Sequence, residues 1–292
     1  NDYLKNTMSS NINLSKSFNE GFFNNLNLSL RHSQNISNNN ISITLPDISI
    51  NSKRVYPFKL IGGSTKTRWY DKISIKYGMS TKNTISTTDS LLFTKNSLSK
   101  FRNGMRHNIP ISTSIRTLKH FNLTPSFNLT ERWYLNQINK SWNPNDSTVI
   151  TDTIHKFTRG HDYNLSIGLN TKIYGLIESK KRKIAGIRHV ISPNISFTYN
   201  PDFSDKKYGY YKTVQINENG KSEEYSIMNN GIYGSPSNNR SGNISFGLGN
   251  ILDMKIRNKN DSLETYKKIK IIESLSISNS YNIFSDSLNF SN

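Results

Sequence analysis

A chain of 292 residues with a net charge of +18 is long enough for one large β domain or two average ones, and favours anionic partners. A single alanine, Ala185, against 41 asparagines excludes a mainly helical fold, because Asn, Ser and Thr compete with helical hydrogen bonding. The absence of cysteine excludes disulfides and thiolate metal sites, and no apolar run nears the ~20 residues of a transmembrane helix, which leaves β-barrels open.

The chain opens on Asn1-Asp2 with no methionine and no charged-then-apolar leader, which reads as a processed chain or an excised piece. Period-two alternation begins with Leu26, Leu28 and Leu30 and continues through Ile41, Ile43 and Leu45. It returns at Ile73, Ile75, Tyr77 and Met79, whereas residues 81–104 carry no clear strand pattern. From 105 to 118, Ile109, Ile111, Thr113 and Ile115 alternate with Pro110, Ser112, Ser114 and Arg116. From 121 to 135, Phe121, Leu123, Pro125, Phe127, Leu129 and Trp133 oppose a row of Asn, Thr, Ser and Arg132.

A tight link at Lys119-His120 precedes that strand, and residues 136–162 after it read as a long connection. Alternation resumes over 163–174, crosses the short link 175–186, and runs through 187–199 with Ile187, Ile191, Ile195, Phe197 and Tyr199 on one face. Residues 200–243 read as a very long loop, 244–257 as a strand, 258–270 as a short link, and 271–284 as a last strand. Several of these runs hold the pattern for 12 residues or more, against about 5–6 for ordinary strands and about 9–11 for tilted membrane strands.

Long and short connections alternate, which places the long loops at one end, as in an outer-membrane barrel. Trp69-Tyr70 and Trp133-Tyr134 fall where an interfacial aromatic girdle would sit. The expected fold is all-β, an antiparallel transmembrane outer-membrane β-barrel, incomplete, with about eight to ten strands of a larger barrel. The whole of 1–292 reads as part of that one barrel domain. A soluble β-sandwich shows the same alternation turned inward and stays open as an alternative.

Lys72, Lys76, Arg116, Arg132, Lys172, Arg188, Lys255 and Arg257 share the phase of the small polar residues, as does Ser196. If the apolar rows meet lipid, these point into a lumen able to take up phosphate and sugar, or simply keep that face wet. Single-strand nucleic-acid binders interleave cations with aromatics on one face. Here the two lie on opposite faces, so nucleic acid is not an expected partner. Pro110, Pro125 and Pro193 interrupt strands and read either as curvature-adjusting bulges or as places of weakened pairing.

The six histidines, His32, His107, His120, His155, His161 and His189, form no metal-binding spacing, and no nucleophile elbow, P-loop or dinucleotide motif is present. No catalytic residue and no cofactor is expected. Asp202 and Asp205 are a weak candidate for a cation site, and Lys180-Lys181-Arg182-Lys183 reads as a basic short turn.

The block IRHVISPNISFTYNPDF at 187–203, with YGYY at 208–211, resembles the outer-membrane LPS-assembly protein LptD in its Bacteroidota-type form. Its family-like positions are Arg188, His189, Pro193, Pro201, Asp202 and Phe203. Weaker pieces occur in order: ITLPDISI at 43–50, RVYPF at 54–58, TKIYG at 171–175, YGSP at 233–236, ISFGLGNILDMK at 244–255 and SYNIFSDSL at 280–288. The resemblance implies a barrel in the cell outer membrane that delivers lipopolysaccharide to the outer leaflet, with lipid A phosphates and outer-membrane lipid as contacts. It implies an LptE-like plug lipoprotein and periplasmic bridge proteins that dock through a jellyroll. No jellyroll or closing strand is recognisable here. A general porin or nutrient-uptake barrel is the alternative function.

Overall fold

The computed structural model describes residues 7–61, 68–92, 94, 97, 100–179, 183–257, 266–285 and 290. The chain folds as β1 (Thr7–Ser17), β2 (Phe23–Asn35), β3 (Asn40–Ser52), α1 (Pro57–Ile61), β4 (Ser74–Ile75), β5 (Gly78–Thr88), β6 (Arg102–Ser112) and β7 (Ile115–Thr117). It continues as β8 (Phe121–Asn143), β9 (Thr148–Asn170), β10 (Ile173–Glu178), β11 (Ile184–Asn200), β12 (Tyr211–Gln215), β13 (Ser222–Ser226), β14 (Ser241–Arg257) and β15 (Tyr266–Asn282). Thirteen of these segments form one antiparallel sheet in the order β1-β2-β3-β5-β6-β8-β9-β11-β14-β15, with β4, β7 and β10 beside it and β12–β13 a separate hairpin. The sheet is open, with β1 and β15 at its edges.

The register aligns the apolar phase of every strand on one face. Leu123, Leu169, Ile195 and Phe246 form one row across four strands, and Ile167, Phe197, Ile244 and Tyr281 form the next. Among the described residues no second layer covers these rows: Ile167 is 51% exposed, Ile195 49% and Ile277 64%. A β-sandwich would bury this face, so the arrangement is that of a partial barrel wall with its apolar side outward. No described helix is long and apolar enough to cross a membrane.

Three of the thirteen segments, β4, β7 and β10, continue a neighbouring strand across an interruption, and each interruption has the same cause. β4 and β5 meet β6 in one register, and the break between them lies opposite Pro110, whose carbonyl accepts the Lys76 N–H at 3.1 Å. β6 and β7 likewise meet β8 in one register, with the break opposite Pro125, which accepts from Thr113 at 3.2 Å. β9 and β10 meet β11 in one register, with the break opposite Pro193, which accepts from Thr171 at 3.3 Å. A proline has no N–H to return, so each pair keeps one ladder bond instead of two. No register shift occurs at any of the three, so these prolines weaken pairing and do not create bulges. Thirteen segments less three interruptions leaves ten strands.

Replacing Pro193 by alanine is expected to restore the bond to the Thr171 carbonyl. The ladder gain of about 1 kcal/mol is offset by the ~0.4–1 kcal/mol that proline contributes by restricting the unfolded chain. The unfolding midpoint should therefore barely move, while amide exchange at Thr171 and Ile173 slows. Unchanged exchange at both amides would show that the missing donor is not what loosens the site.

β1–β2, β7–β8 and β10–β11 join at one end of the sheet, here the lower end. β2–β3, β5–β6, β8–β9 and β11–β14 join at the upper end. The separation of long from short connections is incomplete, because residues 53–73, which include α1, form a long connection at the lower end. The stretch 136–162, expected as a long loop, is instead the upper halves of β8 and β9, closed by a turn at 144–147. Its alternation is hidden because Lys156 and Phe157 together oppose Leu135, which shifts the phase of β9 by one residue, while the inner row of β8 turns apolar at Ile138, packed against Val214 and Tyr225.

The buried core lies at this upper end. Residues 201–240, between β11 and β14, fold back over the polar face of β8 and β9 as an insert carrying the β12–β13 hairpin. Tyr134 packs there with Phe203, Tyr210, Ile227 and Met228, and Ile138 packs with Val214 and Tyr225. Glycines make room for the contact. A Cβ on Gly104 would lie 2.7 Å from the Tyr134 ring, one on Gly231 2.5 Å from it, and one on Gly160 2.5 Å from the Met228 methyl.

Candidate functional site

The face opposite the apolar rows is a field of amides and hydroxyls. Ser196 lies on it between Gly168 and Ser245, above a row formed by Asn122, Asn170 and Asn194. Thr198 donates to the Ser166 hydroxyl at 3.2 Å, and Thr124 to the Gly168 carbonyl at 3.2 Å. These bonds hold short polar side chains flat against the wall and leave the space before it free.

The cations expected on this face do not act as one set. Arg116 and Lys172 come together at the lower end, where they line a cavity of about 500 Å³ with Lys119, His120, Asn122, Asn170 and Asn194. Lys119 enters through the β7–β8 turn, where Leu118 and Lys119 both take positive φ. Thr171, in the same lining, donates its hydroxyl to the His120 carbonyl at 2.7 Å and fixes that turn to the wall. Among the described residues, no carboxylate lines the cavity. Three flexible or forked cations among carboxamides suit a phosphate-bearing, hydroxyl-rich ligand.

Other expected cations are engaged elsewhere. Arg188 faces inward as anticipated, but its guanidinium grips Asp253 through Nε at 3.1 Å and also through Nη2, while Lys268 approaches the same carboxylate at 3.4 Å. Arg188 is thus a wall cross-link between β11 and β14 and not a free anion site. Arg132 pairs with Asp162 at 3.0 Å and donates to the Tyr233 carbonyl at 3.1 Å, so it anchors the insert.

Lys255 sits opposite Lys268, with its ammonium 4.2 Å from the centre of the Tyr266 ring. Arg257 donates to the Ser179 carbonyl at 2.5 Å, which joins the end of β14 to the end of β10. Lys76 is exposed at the ladder break opposite Pro110. Lys72 lies in a 3₁₀ turn, Tyr70–Lys72, and so belongs to the lower connection and to no strand.

The family-like block serves structure more than binding. His189 is on the apolar face and meets the Asn250 carboxamide at 3.2 Å. At Pro201 the chain leaves the sheet, and Asp202 accepts the Ser204 N–H at 2.8 Å in a tight turn. Phe203, 1% exposed, plugs into the core and donates its backbone N–H to Ser237 at 2.9 Å. Asp202 and Asp205 do not converge as a cation site: Asp205 pairs with Lys207 at 3.4 Å. The backbone N–H of Lys207, which bonds Asp205, holds that carboxyl below the usual carboxylate range.

Sequence reading missed the residues that hold the insert. Arg102 donates to the Asn230 carbonyl at 2.9 Å, and Arg106 lies 4.9 Å from the centre of the Tyr233 ring. Burial pushes the Tyr233 phenol up to about 12, so that ring stays neutral beneath its cation. Tyr134, 2% exposed, donates to the Gly234 carbonyl at 2.7 Å and accepts the Tyr233 N–H at 3.2 Å. One signal was available: Tyr134 is an aromatic in the polar phase of its strand, and so belongs to no lipid-facing girdle. Trp133 does face outward, but at the middle of β8 and not at a strand end.

A family model described as "LptD protein" matches residues 1–292. No curated protein and no solved structure matches the chain. The open antiparallel wall, apolar on one side and amide-lined on the other, is the architecture such a match calls for. The chain belongs to the LptD family, outer-membrane proteins of lipopolysaccharide transport.

Proposed function

We propose that this chain forms part of the wall of a multi-pass outer-membrane β-barrel that passes lipopolysaccharide to the outer leaflet. Its open edges, β1 and β15, are where further wall strands join. The lower, turn-bearing end faces the periplasm and the insert end faces outward, as in barrels with short periplasmic turns. The observation that carries the reading is the carboxylate-free cavity of Arg116, Lys119 and Lys172 on the inner face. Its cations meet the lipid A phosphates, and the Asn and Ser rows above it meet sugar hydroxyls. An LptE-like lipoprotein lies against the same inner face, and bridge proteins reach the lower end through a jellyroll elsewhere in the parent protein. Nothing in this route calls for bond chemistry at the wall, and the work of transport is supplied from outside it.

In-cell photocrosslinking in the full-length protein tests this. Probes at Arg116, Lys172 and Ser196 are expected to capture glycolipid, and probes at Ile195 and Ile167 are not. Solute conductance with no adduct at any inward position would favour a general porin instead.

A further inference from the structure

The apolar face is not uniform. Near the lower end it carries a concavity of about 480 Å³, within the ~300–1,000 Å³ range of small-molecule clefts. Its floor is the outer side of β6, β8, β9 and β11, including Pro125, Phe127, Ile167 and Phe197. Its rim is Trp69 and Ile73, from the connection between β3 and β4. Trp69 is 59% exposed and stands edge-on to Tyr70, with ring centres 5.7 Å apart.

Tyr70 is braced in turn by Phe58 of α1 at 6.3 Å. A membrane-facing wall that only had to be greasy would need no such rim.

The rim is also basic. The described residues of the connection that carries it hold five Lys or Arg and one acid, Asp71. That acid is turned inward, since its carboxylate accepts the Arg68 backbone N–H at 2.6 Å. Arg68 and Lys72 flank Trp69, with the Arg68 guanidinium 5.6 Å from the centre of the Tyr70 ring. An apolar trough that continues the lipid-facing belt, edged by aromatics and then by cations, matches one amphiphile from tail to head.

We infer that this groove binds a single anionic glycerophospholipid of the periplasmic leaflet, its acyl chain under Trp69 and its phosphate at Arg68 and Lys72. The inference rests on the barrel reading above, which turns this face toward lipid and this end toward the periplasm. The bound lipid is not the cargo: it lies on the outside of the wall, where it fixes the depth of the barrel and seals the ladder break at Thr113 and Pro125. Lys72 thereby has a role that its assignment to the inner face concealed.

The test uses the full-length protein with its partners in nanodiscs, with Trp69 as the sole tryptophan. Quenching is titrated with phosphatidylglycerol brominated along its chains in a phosphatidylcholine background, and then with the labels exchanged. Trp69 is expected to prefer the anionic lipid at least about fivefold. Arg68→Gln and Lys72→Gln should each lower that preference by about fivefold, to no less than parity. Equal quenching by both lipids in proportion to their abundance would leave only annular lipid and overturn the site.

A separate variant whose sole tryptophan is Ile277→Trp, on the apolar face of β15 and outside the groove, separates the two failures. Quenching there but not at Trp69 sinks the groove and spares the barrel. Quenching at neither sinks both.

Discussion

Tyr134→Ala is expected to release the insert while leaving the sheet intact. The ring is 2% exposed and wedged between Gly104 and Gly231, each of which would clash with it if it carried a Cβ. Removing an aromatic of this burial costs about 3–5 kcal/mol. Two further bonds go with it, from the phenol to the Gly234 carbonyl and from the Tyr233 N–H to the phenol. The loss falls on the insert because sheet pairing does not depend on Tyr134, whereas one of the insert's two apolar clusters does.

The readout is amide exchange across β12 and β13, which should rise by two orders of magnitude or more, with exchange across β11 and β14 unchanged. Tyr134→Phe keeps the ring and loses only its bonds, at about 1–3 kcal/mol, and should give an intermediate result. Gly231→Ala approaches from the other side by forcing the ring out. In cells, the alanine variant should admit large hydrophilic antibiotics through an unsealed outer mouth. If β12 and β13 keep their protection in Tyr134→Ala, the insert is held by something other than this core.

The strands were legible because a wall with lipid on one side and water on the other writes period two into nearly every residue. The rows through Leu123, Leu169, Ile195 and Phe246 could be read singly, and pairing only placed them side by side. What was not legible has three physical origins. A bulge that sets Lys156 and Phe157 against Leu135 reverses the phase of β9, and the inner row of β8 turns apolar at Ile138 beneath the insert, so neither upper half continues the pattern of the lower one.

Cations report their face but not their partner. Arg188 and Arg132 lie as expected, yet Asp253 and Asp162 are brought to them from 65 and 30 residues away by register alone. Lys119 was passed over because a tight turn belongs to neither face in an alternation pattern. Prolines, finally, show that a donor is missing but not which neighbour needed it. Only the register, which sets Lys76, Thr113 and Thr171 opposite them, identifies that neighbour.

The apolar face also predicts a pattern of substitutions that separates lipid contact from core packing. Ile195 lies in the middle of the row from Ile191 to Tyr199, beside Leu169 and Phe246. Ile195→Arg should cost about 2–4 kcal/mol in a lipid-facing wall near its midplane, enough to deplete the folded, heat-modifiable form. Ser196→Arg, one residue along and facing the amide-lined side, should leave that form intact.

A buried sandwich core would give the same two results, so a third substitution decides. Ile195→Trp overfills a packed core at about 1–3 kcal/mol, but fluid lipid simply yields to the larger ring. Folded yield and urea midpoint in the bilayer should therefore be unchanged for Ile195→Trp. A marked loss would mean that another protein layer covers this face, and the wall would have to be turned inside out.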